Sequence, residues 1–189
     1  MITAIYQKFR KITNIQKEKI VLNVGRLVPQ KGHKLLLLAF SLIEDTKDWV
    51  LVILGDGPLR DELINYAREL GIENKVHFKG TIKNVDDWLQ QSSIFAFSSI
   101  SEGFPNALAE AMIAGLPCVS FNCIAGPKDL IQDGVNGFLV EPENVQLFAN
   151  KLNILMVNES LRAQFSYEAR KIFQTINEAE ICSRYFKVM

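Results

Sequence analysis

Ile94-Phe95-Ala96-Phe97-Ser98-Ser99-Ile100-Ser101-Glu102-Gly103-Phe104-Pro105-Asn106-Ala107-Leu108-Ala109-Glu110 passes from four consecutive apolar residues, through a polar loop, into a helical pattern. A short apolar run without alternation marks a strand covered on both faces. Pro105 suits the first turn of a helix, where its missing N–H would have had no partner. The same strand, loop and helix unit recurs along the chain. Apolar runs at 20–24, 49–54, 76–78, 94–97, 118–121 and 137–140 alternate with helical patterns at 32–43, 58–70, 85–91 and 105–114. Gly71 and Gly115 close the second and fourth helices, and Pro117 enters the fifth strand at a tolerated position. From Val145 the pattern is helical to the end, with a break near Asn158. The expectation is an α/β fold: a doubly wound, Rossmann-like domain with a six-stranded parallel sheet, helices on both faces and extra C-terminal helices.

At 189 residues the chain suits one domain with a real core. Lys+Arg and Asp+Glu balance at 21 each, so no long-range field draws in nucleic acid or an anionic membrane. Phosphate recognition has to come from a few placed residues. Cys118, Cys123 and Cys182 show no metal or Cys-x-x-Cys spacing and read as buried, reduced thiols of a cytoplasmic protein. The start of the chain lacks the apolar core of a signal peptide. The run Leu35-Leu36-Leu37-Leu38-Ala39-Phe40 is far short of the ~20 residues that cross a bilayer, and reads as a buried crossover helix.

A doubly wound sheet binds ligands outside the carboxyl ends of its strands, where the strand order reverses. That point brings the loop Gly25-Arg26-Leu27-Val28-Pro29-Gln30-Lys31-Gly32 to the loop holding Glu102. Arg26 can fork two N–H donors onto phosphate oxygens, and Lys31 adds a compact charge. In an isolated loop both would read as merely solvated; opposite a helix mouth they read as phosphate ligands. The amides from Gly103 to Ala107 form that mouth, which attracts anions through free donors and a positive dipole end. Carboxylates beside an anion site are unfavourable alone, so Glu102 and Glu110 read as acceptors from hydroxyls of the same ligand. An anion with hydroxyls at both ends is the outline of a nucleotide sugar.

Four ordered stretches, Gly25-Arg26-x4-Lys31-Gly32, Gly55-Asp56-Gly57-Pro58, Glu102-x7-Glu110 and Gly134-Val135-Asn136-Gly137-Phe138-Leu139-Val140, resemble the carboxyl-terminal half of a retaining family 4 glycosyltransferase with the GT-B fold. The resemblance covers residues 20–187. It implies a nucleotide-sugar donor site in which Arg26, Lys31 and Glu102 are the catalytic set, the two cations on the diphosphate and Glu102 on sugar hydroxyls. Gly25 belongs to the same donor site. The segment Gly103-Phe104-Pro105-Asn106-Ala107-Leu108 contacts phosphate and sugar through its amides, Glu110 accepts from the ribose hydroxyls, and Gly80-Thr81-Ile82 meets the base through its backbone. The implied reaction is front-face attack without an enzyme nucleophile. No metal or other cofactor is required, since two cations and a helix end offset the leaving charge; no Asp-x-Asp motif occurs either. Residues 101–140 most resemble bacterial transferases that take hexoses or N-acetylhexosamines from UDP in surface-polysaccharide assembly.

Enzymes of that family have two Rossmann-like domains, and the amino-terminal one recognises the acceptor. This chain therefore reads as a single nucleotide-sugar-binding domain over 1–189, with 1–19 a linker or local helix. A helix at 175–189 would cross to the absent amino-terminal domain; its Ile181, Tyr185, Phe186 and Val188 leave an apolar patch exposed or pair with another chain. A glycan or lipid-linked acceptor, binding through that other domain, and a whole enzyme at the inner membrane surface complete the expectation. Little or no transfer is expected from this chain alone.

Two other classes stay open. A dinucleotide-dependent oxidoreductase is disfavoured because the loop after strand one lacks Gly-x-Gly-x-x-Gly. A non-catalytic interaction module is disfavoured because Arg26, Lys31, Glu102 and Glu110 are all intact. His33 reads as a helix-start residue that caps or packs rather than as a phosphate ligand, and His77 as structural within its strand. Trp49 and Trp88 read as packing, Lys128 as a solvated helix start, and Asp56 as closing the Gly-Asp-Gly turn.

Overall fold

The computed structural model describes residues 17–124 and 126–175. Most of the expected linker or local helix at 1–19, and the expected crossing helix beyond Thr175 with Ile181, Cys182, Tyr185, Phe186 and Val188, lie outside the described residues. The strands are β1 Ile20–Val24, β2 Val50–Leu54, β3 Val76–Gly80, β4 Ile94–Phe97, β5 Cys118–Phe121 and β6 Gly137–Val140. They form one parallel sheet in the order β3-β2-β1-β4-β5-β6. The order therefore reverses between β1 and β4, the crevice expected for a ligand.

The helices are α1 His33–Ser41, α2 Arg60–Glu69, α3 Val85–Gln91, α4 Asn106–Ile113, α5 Pro127–Leu130, α6 Val145–Val157 and α7 Glu159–Thr175. Successive strand residues point to opposite faces, and each face has its own core. Val21, Leu51, Ile53, Ala96 and Phe121 pack with Leu36, Phe40, Leu63, Phe148 and Phe165 on one side. Leu22, Val52, Leu54, Phe95 and Phe97 pack with Leu89, Leu108, Met112 and Leu130 on the other. Helix α7 serves both sides, Phe165 going to the first core and Ala169 to the second. Asn158 breaks the C-terminal helical stretch as expected, its Oδ1 accepting from Leu161 N at 3.0 Å to cap α7.

Two details depart from the sequence reading. β3 is an edge strand, so its residues alternate: Val76 is buried while His77 and Lys79 face solvent. His77 lies within its strand as expected, on the exposed side. The helix expected from residue 32 begins at His33 after a 3-10 turn at Pro29–Lys31, and the helix expected from Pro58 begins at Arg60. Cys118 and Cys123 are buried free thiols, and burial raises the pKa of both. Among the described residues no helix is long and apolar enough to cross a membrane.

Candidate functional site

The loops after β1 and β2 are stitched together by backbone. Gly25 N donates to Leu54 O at 2.9 Å, Leu27 N to Asp56 O at 3.0 Å, and Leu59 N to Leu27 O at 3.2 Å. Glycine is required on the β2 side, because a Cβ on Gly55 or Gly57 would lie 2.0 Å from Gly25 O or 2.5 Å from Leu27 O. Asp56 closes its turn as expected, Oδ1 accepting from Gly57 N at 2.7 Å.

The far end of the β1 loop is pinned to the end of β4. Ser98 Oγ donates to Lys31 O at 2.8 Å, and Ile100 N donates to Gln30 O at 2.9 Å. Gly32 adopts φ 62°, and a Cβ there would sit 2.1 Å from Ser98 O. This clamp delivers Lys31 to Glu102: Nζ donates to Oε1 at 2.5 Å, with the Glu102 side chain 9% exposed. A cation and a carboxylate that sequence reasoning assigned to one crevice are in direct contact.

Pro105 occupies the N-cap of α4 with φ −82° and ψ 67°, one position earlier than expected, and Asn106 is the first helical residue. The amides of the mouth are not all open, since Asn106 N donates to Phe104 O at 2.9 Å. Ala109 N makes the bond to Pro105 O at 3.0 Å, so the amides of Ala107 and Leu108 precede it. The Leu108 side chain is fully buried, which leaves only its backbone for a ligand. Gly103 and Asn106 are exposed and Phe104 is half-buried. The β5–α5 loop closes on this mouth, a Cβ on Gly126 falling 2.3 Å from Pro105 Cδ.

Glu110 has a different environment from Glu102. Its carboxyl is half-buried and is held above the ordinary carboxyl range, first by burial and then by the negative charge of Asp86. Asp86 stands in the first turn of α3 and went unnoticed in the sequence; the adjacent Asp86-Asp87 pair shows a helix start, but only the fold brings it near Glu110. A cleft of about 440 Å³ is lined by Gly25 and Arg26 after β1, by Gly55 and Asp56 after β2, and by Thr81, Ile82 and Val85 after β3. The expected base segment and the expected Arg26 thus share one hollow with apolar walls. A larger hollow of about 570 Å³, lined by Lys19, Trp49 and Asn153 among others, contains none of the expected site residues.

His33 lies beneath the constellation. It is 2% exposed, and neither ring nitrogen has a hydrogen-bond partner. It packs but does not cap, since α1 has no side-chain cap. Burial, with the charge of Lys31 second, pushes its pKa down to about 4, so the imidazole is neutral. Among the described residues no group of three His, Cys, Asp or Glu side chains is placed to hold a metal ion.

A fold and a crevice of this form recur in known proteins. Over 172 residues the chain is 33% identical to an N-acetylgalactosamine-N,N'-diacetylbacillosaminyl-diphospho-undecaprenol 4-alpha-N-acetylgalactosaminyltransferase from Campylobacter jejuni, covering 89% of this chain and 47% of that protein. It superposes on Staphylococcus aureus TarM, solved with fondaparinux, alpha-GlcNAc-glycerol and UDP, with a TM-score of 0.85 and 29% identity over 93% of this chain and 36% of TarM. The C-terminal domain of the group 1 glycosyl transferase LpcC from Francisella tularensis matches with a TM-score of 0.76 and 25% identity over 93% of this chain and 92% of that domain. The chain thus spans less than half the length of the Campylobacter relative but nearly all of an isolated C-terminal domain, and its Rossmann-like sheet is that of GT-B glycosyltransferases. The model of the family described as glycosyl transferases group 1 matches residues 5–172, and the chain belongs to that family.

Proposed function

We propose that this chain is the donor-binding half of a retaining, family 4 glycosyltransferase that moves a hexose or N-acetylhexosamine from a UDP-sugar to a glycan or lipid-linked acceptor. The observation that carries the reading is the meeting of Lys31 with Glu102 at 2.5 Å, with Glu102 just ahead of α4 and the Lys31 stem against Gly25, which lines the cleft with Arg26 and Ile82. In this reading Arg26 and Lys31 grip the diphosphate, with Gly25 letting it approach the β1 loop. The amides of Ala107 and Leu108 face phosphate and sugar, Glu102 accepts from sugar hydroxyls, Glu110 accepts from ribose, and the base lies against Ile82. UDP bound to TarM supports the choice of nucleotide, and the lipid-diphosphate name of the Campylobacter enzyme supports the acceptor class and a role in bacterial polysaccharide assembly.

The chemistry follows from charge. As the glycosyl bond breaks, negative charge builds on the departing diphosphate, and fixed cations and amides aimed at it stabilise the transition state more than the ground state. The chain's own cations supply that counter-charge, so the mechanism calls for no metal. Acceptor recognition belongs to the rest of a longer, cytoplasmic enzyme working at the inner membrane surface, so this chain alone binds donor with little or no transfer.

Calorimetry with UDP on wild type and Lys31→Ala tests the reading. Loss of one charged hydrogen bond should weaken binding at least ~10-fold. Equal binding by both proteins, or none by either, sinks it.

A further inference from the structure

We infer that His33 is a ligand of the donor's diphosphate, its neutral ring donating one N–H to a phosphate oxygen once Lys31 leaves Glu102. This rests on the donor-site reading above. A buried polar group without a partner costs ~1–3 kcal/mol, and buried imidazoles are accordingly almost always paired. His33 leaves both ring nitrogens unpartnered at 2% exposure. Its surroundings locate the missing partner. The Lys31 stem and the His33 ring converge on one point of the β1 loop: a Cβ on Gly25 would lie 3.6 Å from Lys31 Cγ and Cδ and 3.9 Å from His33 Cε1. Lys31 in turn reaches away to Glu102.

The three groups thus lie close together, two of them paired and the third unpartnered. Lys31 neutralises Glu102, and the Lys31 stem lies beside the ring. A diphosphate arriving at the loop competes for Lys31, and a sugar hydroxyl competes for Glu102. When the pair opens, the lysine stem moves and the ring edge gains access to the same phosphate. The neutral ring carries one N–H for that oxygen, and its second nitrogen can accept from the Lys31 ammonium. Burial and the neighbouring cation keep the ring in this neutral form throughout the physiological range. The ring is thus a short-range donor that adds no charge to a site already holding Arg26 and Lys31.

The test compares UDP with uridine, which lacks the phosphates, on the full chain. Wild type, His33→Phe and His33→Gln are titrated calorimetrically. The expected result is UDP binding weakened ~10-fold in His33→Phe, uridine binding unchanged, and partial rescue in His33→Gln, whose amide keeps an N–H. Equal UDP affinity in wild type and His33→Phe overturns the inference, as does a parallel loss of UDP and uridine. Absence of UDP binding by wild type sinks the donor-site reading, and this one with it. If His33→Phe does not fold, imidazole 15N shifts on wild type decide the matter, because the chain has only two histidines. A His33 ring resonance that moves with UDP and stays still with uridine supports the assignment; one that ignores both overturns it.

Discussion

At the scale of single residues, the proposed function gives Lys31 and Glu102 two partners each. In the structure they pair with each other, at 2.5 Å and with the carboxylate largely shielded from water. Opening such a pair costs less the more of its interactions the ligand returns, Lys31 to phosphate and Glu102 to sugar hydroxyls. UDP, which carries ribose but no transferred hexose, returns only the first. Glu102→Gln should therefore bind UDP as well as wild type or about three-fold tighter, since a charged hydrogen bond to Lys31 has been weakened beforehand. A UDP-hexose should bind the same variant ~10-fold more weakly. Calorimetry with both ligands separates the cases, and an equal loss for the two would show that Glu102 is not competing for Lys31. Much of this was legible in the chain: Arg26, Lys31, Glu102 and Glu110 stand out by type and spacing. Asp86 beside Glu110 and the unpaired His33 were not, because both depend on which helix start faces which loop.

At the scale of elements, the site depends on how closely the β1 loop approaches the end of β4. Gly32 and Gly71 test this, because they share nearly the same left-handed φ, 62° and 70°, in different surroundings. Gly71 has nothing within 4 Å of a new Cβ, so Gly71→Ala should cost only the left-handed strain, ~1 kcal/mol. Gly32→Ala adds a Cβ 2.1 Å from the Ser98 carbonyl oxygen and must push the loop off β4, for ~3 kcal/mol or more. Urea unfolding of the two variants reads the difference directly; similar losses would mean that the clamp is soft. The strands were legible where both faces are covered, and β1, β4, β5 and β6 begin and end where their apolar runs do. β3 was less so, because an edge strand continues past its apolar residues through Lys79 and Gly80 by pairing with β2. The starts of α1, α2 and α4 each fall one or two residues late, since Gly32, Pro58 and Pro105 turn the chain before the first helical residue.

At the scale of the whole molecule, His33 and Glu110 make stability depend on pH with opposite signs. His33 keeps its imidazole neutral down to about 4, while the unfolded chain protonates it near 6.5. As pH falls from 6.5 to 4 the unfolded state takes up a proton that the folded state refuses, so stability falls, by up to ~3 kcal/mol at 1.36 kcal/mol per unit. Glu110 works with the opposite sign. Its folded pKa is raised by burial and Asp86, so the folded chain holds a proton that the unfolded chain has lost above about 4.5. Its contribution is favourable below that value and is lost as pH rises through the raised one. From pH 4.5 up to the raised pKa of Glu110 the two slopes therefore oppose each other. Urea unfolding across this range should show His33→Gln with a flatter or falling dependence, because the rising component has gone, and Glu110→Gln with a steeper rise than wild type. Curves parallel to wild type in both variants would show that neither group titrates differently on folding. UDP offers a second readout of Glu110: in the proposed function it accepts from ribose, which its carboxylate does more strongly than its protonated form. Nucleotide affinity should weaken as pH falls through its raised pKa in wild type, and should stay level there in Glu110→Gln, at a lower value throughout.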